Sequence, residues 1–232
     1  MIHDGRNRLP FDVEAALAHL SEADAKLALL IERAGPFTLR LDKRLGVFES
    51  LLESILYQQL HGKAAATIHR RFRELYSGDP TPKALLSTPD ELLRGVGVSG
   101  NKTLAMKDLA SRVLDGTVPE GRALQRMNDE AIIERLSAVR GIGRWTVEML
   151  LIFRLGRPDV FPVTDYGVRK GFALTFQRLS KRRAIEAADL PKPAQMHRRA
   201  KAWAPYRTVA SWYLWRACDL AKQGEPTGRS AR

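Results

Sequence analysis

Residues 136–147 read Leu-Ser-Ala-Val-Arg-Gly-Ile-Gly-Arg-Trp-Thr-Val, and they decide the fold. Two glycines bracket one isoleucine within a region of helical apolar spacing. Each glycine inside a helix costs about 1 kcal/mol against alanine. The stretch is therefore read as helix, tight hairpin, helix. Gly141 and Gly143 are free to take dihedrals closed to other residues. Without side chains they let backbone amides approach a ligand closely. The second helix starts there, and its free N–H groups suit a phosphate oxygen. Ile142 is placed to plug the base of the hairpin. Such a device grips a nucleic-acid backbone without reading its sequence.

Working outward, the chain reads as helical nearly throughout. Residues 12–35 carry apolar residues at helical spacing and end on Gly35, which predicts one helix with a glycine stop. Residues 47–76 contain two helices with a break around Gln59-Leu60-His61-Gly62. Thr88, before Pro89 and three residues ahead of Glu91, is read as a helix N-cap. Ser99 and Asn128 start two further helices. Residues 144–156 are apolar almost all round and predict a buried helix. Residues 157–165, with Pro158 and Pro162, read as extended, and a helix follows Asp165. Residues 181–223 are read as two helices around a proline-rich linker. Only residues 36–41, Pro-Phe-Thr-Leu-Arg-Leu, suggest a short extended piece. The first eight residues and the last nine read as frayed.

Composition narrows the function. The 232 residues carry a formal charge of +12, with a pI near 10.2. That excess implies a polyanionic partner, through steering and counterion release. No segment has the pattern of a basic surface helix, and no run approaches the ~20 apolar residues of a membrane span. Nucleic acid is the expected partner and a membrane is not. The single cysteine, Cys218, rules out an intrachain disulfide and a four-thiolate zinc or iron–sulfur site. It reads as a small core residue. Residues 1–11 have no apolar secretory stretch, so a cytoplasmic, nucleoid-associated location is expected.

Residues 136–172, running from the hairpin through Pro162-Val163-Thr164-Asp165-Tyr166-Gly167, resemble the helix-hairpin-helix base-excision DNA glycosylases. These end the motif in a Gly/Pro-rich loop and an aspartate. The resemblance is closest to the 3-methyladenine DNA glycosylase II group. It extends back through residues 49–68 and 95–110 and forward through 203–219, covering roughly residues 40–220. The three-domain members carry an extra N-terminal β domain for which this chain is too short. The resemblance implies an all-α fold of two helical subdomains with an active-site cleft between them. The expected division is residues 1–45 plus 160–232, around a central subdomain 46–159 that contains the helix-hairpin-helix at about 129–153.

The resemblance also implies roles. Asp165 corresponds to the catalytic carboxylate. Many relatives have a second acid just before it; here that residue is Thr164. The bland alternative is that Asp165 caps its helix, and the two roles are compatible. Trp145 stands where bifunctional relatives place the lysine that attacks the sugar. No Schiff base forms from tryptophan, so a monofunctional, water-using enzyme is expected. The base must be flipped out of the duplex, and Gln59, Leu60 and His61 are the candidates to fill the gap. Trp145, Tyr166 and Trp215 match base-pocket positions, with Tyr57 and Trp212 as further aromatic candidates. An aromatic pocket suits the cationic purines left by alkylation. Gly141, Ile142, Gly143 and Arg144 are expected to meet the DNA backbone, with Arg140 adding charge. The carbonyls of Ser137, Val139 and Ile142 are expected to hold a monovalent cation; no other cofactor is implied.

The expected activity is hydrolysis of the N-glycosidic bond of alkylated purines in double-stranded DNA, leaving an abasic site, by a monomer. The alternatives are a glycosylase for oxidised, deaminated or mismatched bases, and a non-enzymatic helix-hairpin-helix DNA-binding protein.

Overall fold

The computed structural model describes residues 9–42, 45–60, 62–177 and 186–223. His61, the Lys-Arg-Arg run at 181–183 and both frayed-end expectations lie outside the described residues. Among the described residues the secondary structure is helical, with no strand. In chain order the helices are α1 (Val13–Ala23), α2 (Ala25–Ala34), α3 (Val47–Tyr57), α4 (Gly62–Glu74), α5 (Pro82–Ser87), α6 (Asp90–Gly95) and α7 (Gly100–Leu114). They continue with α8 (Gly121–Arg126), α9 (Asp129–Ser137), α10 (Arg144–Leu150), α11 (Tyr166–Phe176), α12 (Pro193–Ala200) and α13 (Arg207–Gln223). Residues 36–41 form no strand.

Local chemistry sets the borders. Asn128 accepts from the Ala131 N–H at 2.8 Å and Ser99 from the Lys102 N–H at 3.5 Å, so both act as the expected N-caps. Thr88 differs. It closes α5, its hydroxyl donating to the Ala84 carbonyl at 2.9 Å, while Pro89 takes the cap position of α6. Residues 13–34 form two helices rather than one. Asp24 breaks them, because its carboxylate accepts from the N–H groups of Lys26 and Leu27 and starts a new helix. After the hairpin the α-helix ends at Leu150, and a π-helical turn, Leu151–Leu155, replaces the predicted continuation.

The chain divides into two compact units: Met1–Leu41 with Leu151–Arg232, and Asp42–Leu150. The expected borders at 45/46 and 159/160 thus stand at 41/42 and 150/151, the second where the π-turn begins.

In the first unit α11 lies against α13 so closely that a β-carbon on Gly171 would collide with the Leu214 carbonyl. Trp203 is fully buried among Phe161, Phe172 and Phe176. Its indole N–H donates to Asp24 Oδ2 at 3.2 Å. Arg199 donates to the same carboxylate from Nε at 2.6 Å and Nη2 at 2.8 Å, with its guanidinium 4.0 Å from the Phe176 ring centre. Burial pushes the Asp24 pKa up. The Arg199 bonds and charge, with the Leu27 and Trp203 N–H groups, outweigh that and hold it below the usual carboxylate range. In the second unit, Leu51, Ile55, Leu56, Phe72, Met106 and Leu109 form the core among α3, α4 and α7.

Asp24 is therefore expected to matter more than a surface acid. Asp24→Ala removes an ion pair and a helix cap together, and urea denaturation is expected to show about 2–4 kcal/mol lost. A depressed folded-state pKa means that this contribution is complete above the unfolded value near ~3.9 and lost as pH falls through the folded value. In wild type the contribution is expected to be unchanged between pH 7 and 5.

Candidate functional site

Asp165 ends the extended segment that follows the π-turn and caps α11. Its Oδ1 accepts from the Val168 N–H at 2.8 Å and from the Trp215 indole N–H at 2.8 Å. Capping and orientation therefore converge on one carboxylate oxygen. Trp215 comes from α13, and its indole stacks on Phe153 of the π-turn at 5.5 Å and 29°. Gly167 makes room: a β-carbon there would lie 2.6 Å from Trp215 Cδ1 and 3.1 Å from Asp165 Oδ1. The Gly167 carbonyl accepts from Cys218 Sγ at 3.3 Å, so Cys218 is half-buried beside this group, and burial is the first cause raising its thiol pKa. Tyr166, next to Asp165, is 58% exposed, unusual for so large a ring.

The segment before Asp165 is stitched to the start of α13. Arg207 pairs with Asp159 through Nε and Nη2, both at 2.7 Å. Thr208 donates to the Arg157 carbonyl at 2.6 Å and accepts from the Val160 N–H at 2.9 Å.

The second unit carries the hairpin between α9 and α10. Gly141 has φ +77°, the left-handed conformation the sequence predicts, and a β-carbon there would stand 3.3 Å from Ala105 Cβ. Gly143 has no positive φ; its value lies in open space, since nothing stands within 4 Å of an added β-carbon. Ile142 is buried, and its N–H donates to the Val139 carbonyl at 3.1 Å, closing the turn. That carbonyl keeps one lone pair for another partner. The Ser137 hydroxyl nearby is buried with no hydrogen-bond partner among the described residues.

Three of the expected site residues are engaged within their own units. Arg144 meets two acids: Nε donates to Glu148 at 3.0 Å, and Nη1 and Nη2 reach Glu130 at 3.0 and 2.6 Å. It clamps α9 to α10. Trp212 is a core residue, packed edge-on against Phe37 at 4.9 Å and only 8% exposed. Tyr57 lies edge-on to His69 at 5.7 Å, at the end of α3. Trp145, by contrast, is 47% exposed. Gln59 and Leu60 are exposed on the turn after α3, Gln59 with φ +56°.

Sequence reading missed Phe153, Gly167 and Gln58. Gly167, two residues from Asp165, carried the only available signal. Phe153 reads as one more apolar residue in a helix, and the Gln58 bond from Nε2 to the Gly141 carbonyl, 2.8 Å long, spans 83 positions.

Among the described residues no group of three or more His, Cys, Asp or Glu is arranged to hold a metal ion, and no helix is long and apolar enough to cross a membrane.

Residues 52–203 match the HhH-GPD superfamily of base excision DNA repair proteins, and the chain belongs to that family. It is similar to DNA-3-methyladenine glycosylase 1 of Schizosaccharomyces pombe, with 35% identity over 211 residues, 90% of this chain and 89% of the relative. Two solved structures are similar. One is the Schizosaccharomyces pombe 3-methyladenine DNA glycosylase in complex with abasic DNA, with TM-score 0.74 and 35% identity over 89% of this chain and 98% of that one. The other is a DNA-3-methyladenine glycosidase from Bacillus halodurans, with TM-score 0.79 and 32% identity over 94% and 95%.

The two hairpin glycines are expected to differ under substitution. Gly141→Ala forces a β-carbon into the left-handed region against Ala105 and is expected to lower stability by about 1–2 kcal/mol. Gly143→Ala is expected to stay within about 0.5 kcal/mol of wild type. Paired urea melts of the two variants make the comparison.

Proposed function

We propose that the protein is a monofunctional DNA glycosylase that hydrolyses the N-glycosidic bond of alkylated purines in duplex DNA and leaves an abasic site. The observation that carries this reading is the fixed carboxylate of Asp165, pinned by the Val168 and Trp215 N–H groups. Family membership supplies the reaction class, and the similarity to 3-methyladenine glycosylases supplies the substrate class.

An alkylated purine already carries positive charge, so its departure needs little protonation. As the bond to C1′ stretches, the sugar becomes oxocarbenium-like. A preoriented carboxylate stabilises that charge and orients or deprotonates water. The same chemistry assigns Asp165 the one catalytic role. Trp215, backed by Phe153, and Tyr166 offer π faces to a cationic base, each good contact worth about 0.5–2 kcal/mol. Trp145 adds an exposed indole where a lyase needs an amine, so water is the nucleophile. The hairpin amides around Gly141–Gly143 grip backbone phosphate, and the carbonyls of Ser137, Val139 and Ile142 would hold a monovalent cation that supplies positive charge beside it. The buried Ser137 hydroxyl fits such a polar neighbourhood. Gln59 and Leu60 are the described candidates for the wedge that replaces the flipped base. The net charge of +12 supports duplex DNA as the partner.

Single-turnover release from duplexes carrying 3-methyladenine or 7-methylguanine tests the reading. Asp165→Asn is expected to slow release about 100-fold or more while duplex affinity stays within a few-fold. Strands are expected to break only after hot alkali. Equal rates for the two proteins, or breaks without alkali, overturn the assignment.

A further inference from the structure

Helix α7 touches both DNA-facing turns of the second unit, and it does so along one face. Lys102 donates from Nζ to the Leu56 carbonyl at 2.6 Å, at the end of α3. Ala105 lies under Gly141, where an added β-carbon would stand 3.3 Å from its own. Asp108 accepts the Arg140 N–H at 2.8 Å, at the start of the hairpin, and pairs with Arg112 at 2.9 Å. Positions 102, 105 and 108 are spaced by three, and residues three apart lie on one side of a helix. Gln58 closes the circuit, donating from the turn after α3 to the Gly141 carbonyl at 2.8 Å. Gln59, next in the chain, is held in the left-handed region, which non-glycine residues enter only when their surroundings impose it.

We infer that Gln58, Lys102 and Asp108 are positioning residues that make the wedge turn and the phosphate-binding hairpin one rigid element, so that gripping the backbone fixes where the wedge stands. The inference rests on the function proposed above. Two independent turns would each pay their own ordering entropy when DNA binds; two turns bolted to one helix are ordered already. Partial burial holds the Lys102 ammonium below the ordinary lysine range, as expected of a group committed to a protein carbonyl rather than to water or phosphate. Asp108 sits beside the hairpin, where an acid would repel phosphate, and Arg112 offsets its charge.

A double-mutant cycle reads the coupling directly. The first change is Gln58→Ala. The second truncates the tip, Gln59→Ala with Leu60→Ala. Base flipping is followed by 2-aminopurine fluorescence in a duplex, beside single-turnover release from 7-methylguanine DNA and affinity for an undamaged duplex. Gln58→Ala is expected to lower the flipping signal and the release rate about tenfold in the intact tip, and less than twofold in the truncated tip. Affinity for undamaged duplex is expected to change less than threefold. Lys102→Met is expected to repeat the pattern, and it keeps the apolar stem if Gln58→Ala proves unstable. Equal losses in both backgrounds overturn the coupling, as does a loss confined to thermal stability. A wild type that binds duplex but releases no base overturns the proposed function, while the fluorescence cycle still decides the coupling.

Discussion

Asp165 Oδ1 receives two N–H groups, one from the first turn of its own helix and one from an indole fifty residues later. Much of the first unit is arranged so that both arrive. Gly167 leaves the volume that the indole occupies, Phe153 backs its other face, and Gly171 lets α11 settle against α13. The extended segment leading to Asp165 has no regular structure to stiffen it. The hydrogen bonds of Arg207 and Thr208 do that work by fastening residues 157–160 to the start of α13. One helix thus holds the segment at both ends, with Arg207 at the entry and Trp215 at the exit.

The hairpin was legible because its signal is local. Glycine spacing, the flanking apolar periodicity and the helix caps at Ser99 and Asn128 all act within a few residues. Asp165 and its cap role were legible for the same reason, with the family resemblance supplying the chemistry. What escaped was set by distant partners. Asp24 looks like a solvent-facing helix residue until Arg199 and Trp203, some 175 positions later, turn it into a buried anchor that divides one helix into two. Arg144 reads as a lone basic residue beside the hairpin, and its pairing with Glu130, fourteen positions earlier, shows only in the fold. Trp212 and Trp215 are three residues apart on α13 and indistinguishable by type. Only the packing of Phe37 against one and the carboxylate against the other sets the first in the core and the second beside Asp165.

The second unit solves a different problem with the same economy. Under the proposed function its turns meet a long, uniform polyanion, for which backbone amides and shape suffice. Two positive charges near the hairpin are spent on internal pairs, Arg144 with two carboxylates and Arg112 with Asp108. Affinity for DNA must therefore draw on the overall excess of lysine and arginine as much as on local pairs, which makes it long-ranged and sensitive to salt.

Gly171 lies one helical turn and more beyond the acid, inside the packing of α11 against α13. Yet the backbone it faces is that of Leu214, the residue immediately before Trp215. Any bulk introduced there wedges two helices apart and swings the indole off its oxygen. A lesion in ordinary core packing would then masquerade, in a kinetic screen, as the loss of a catalytic group.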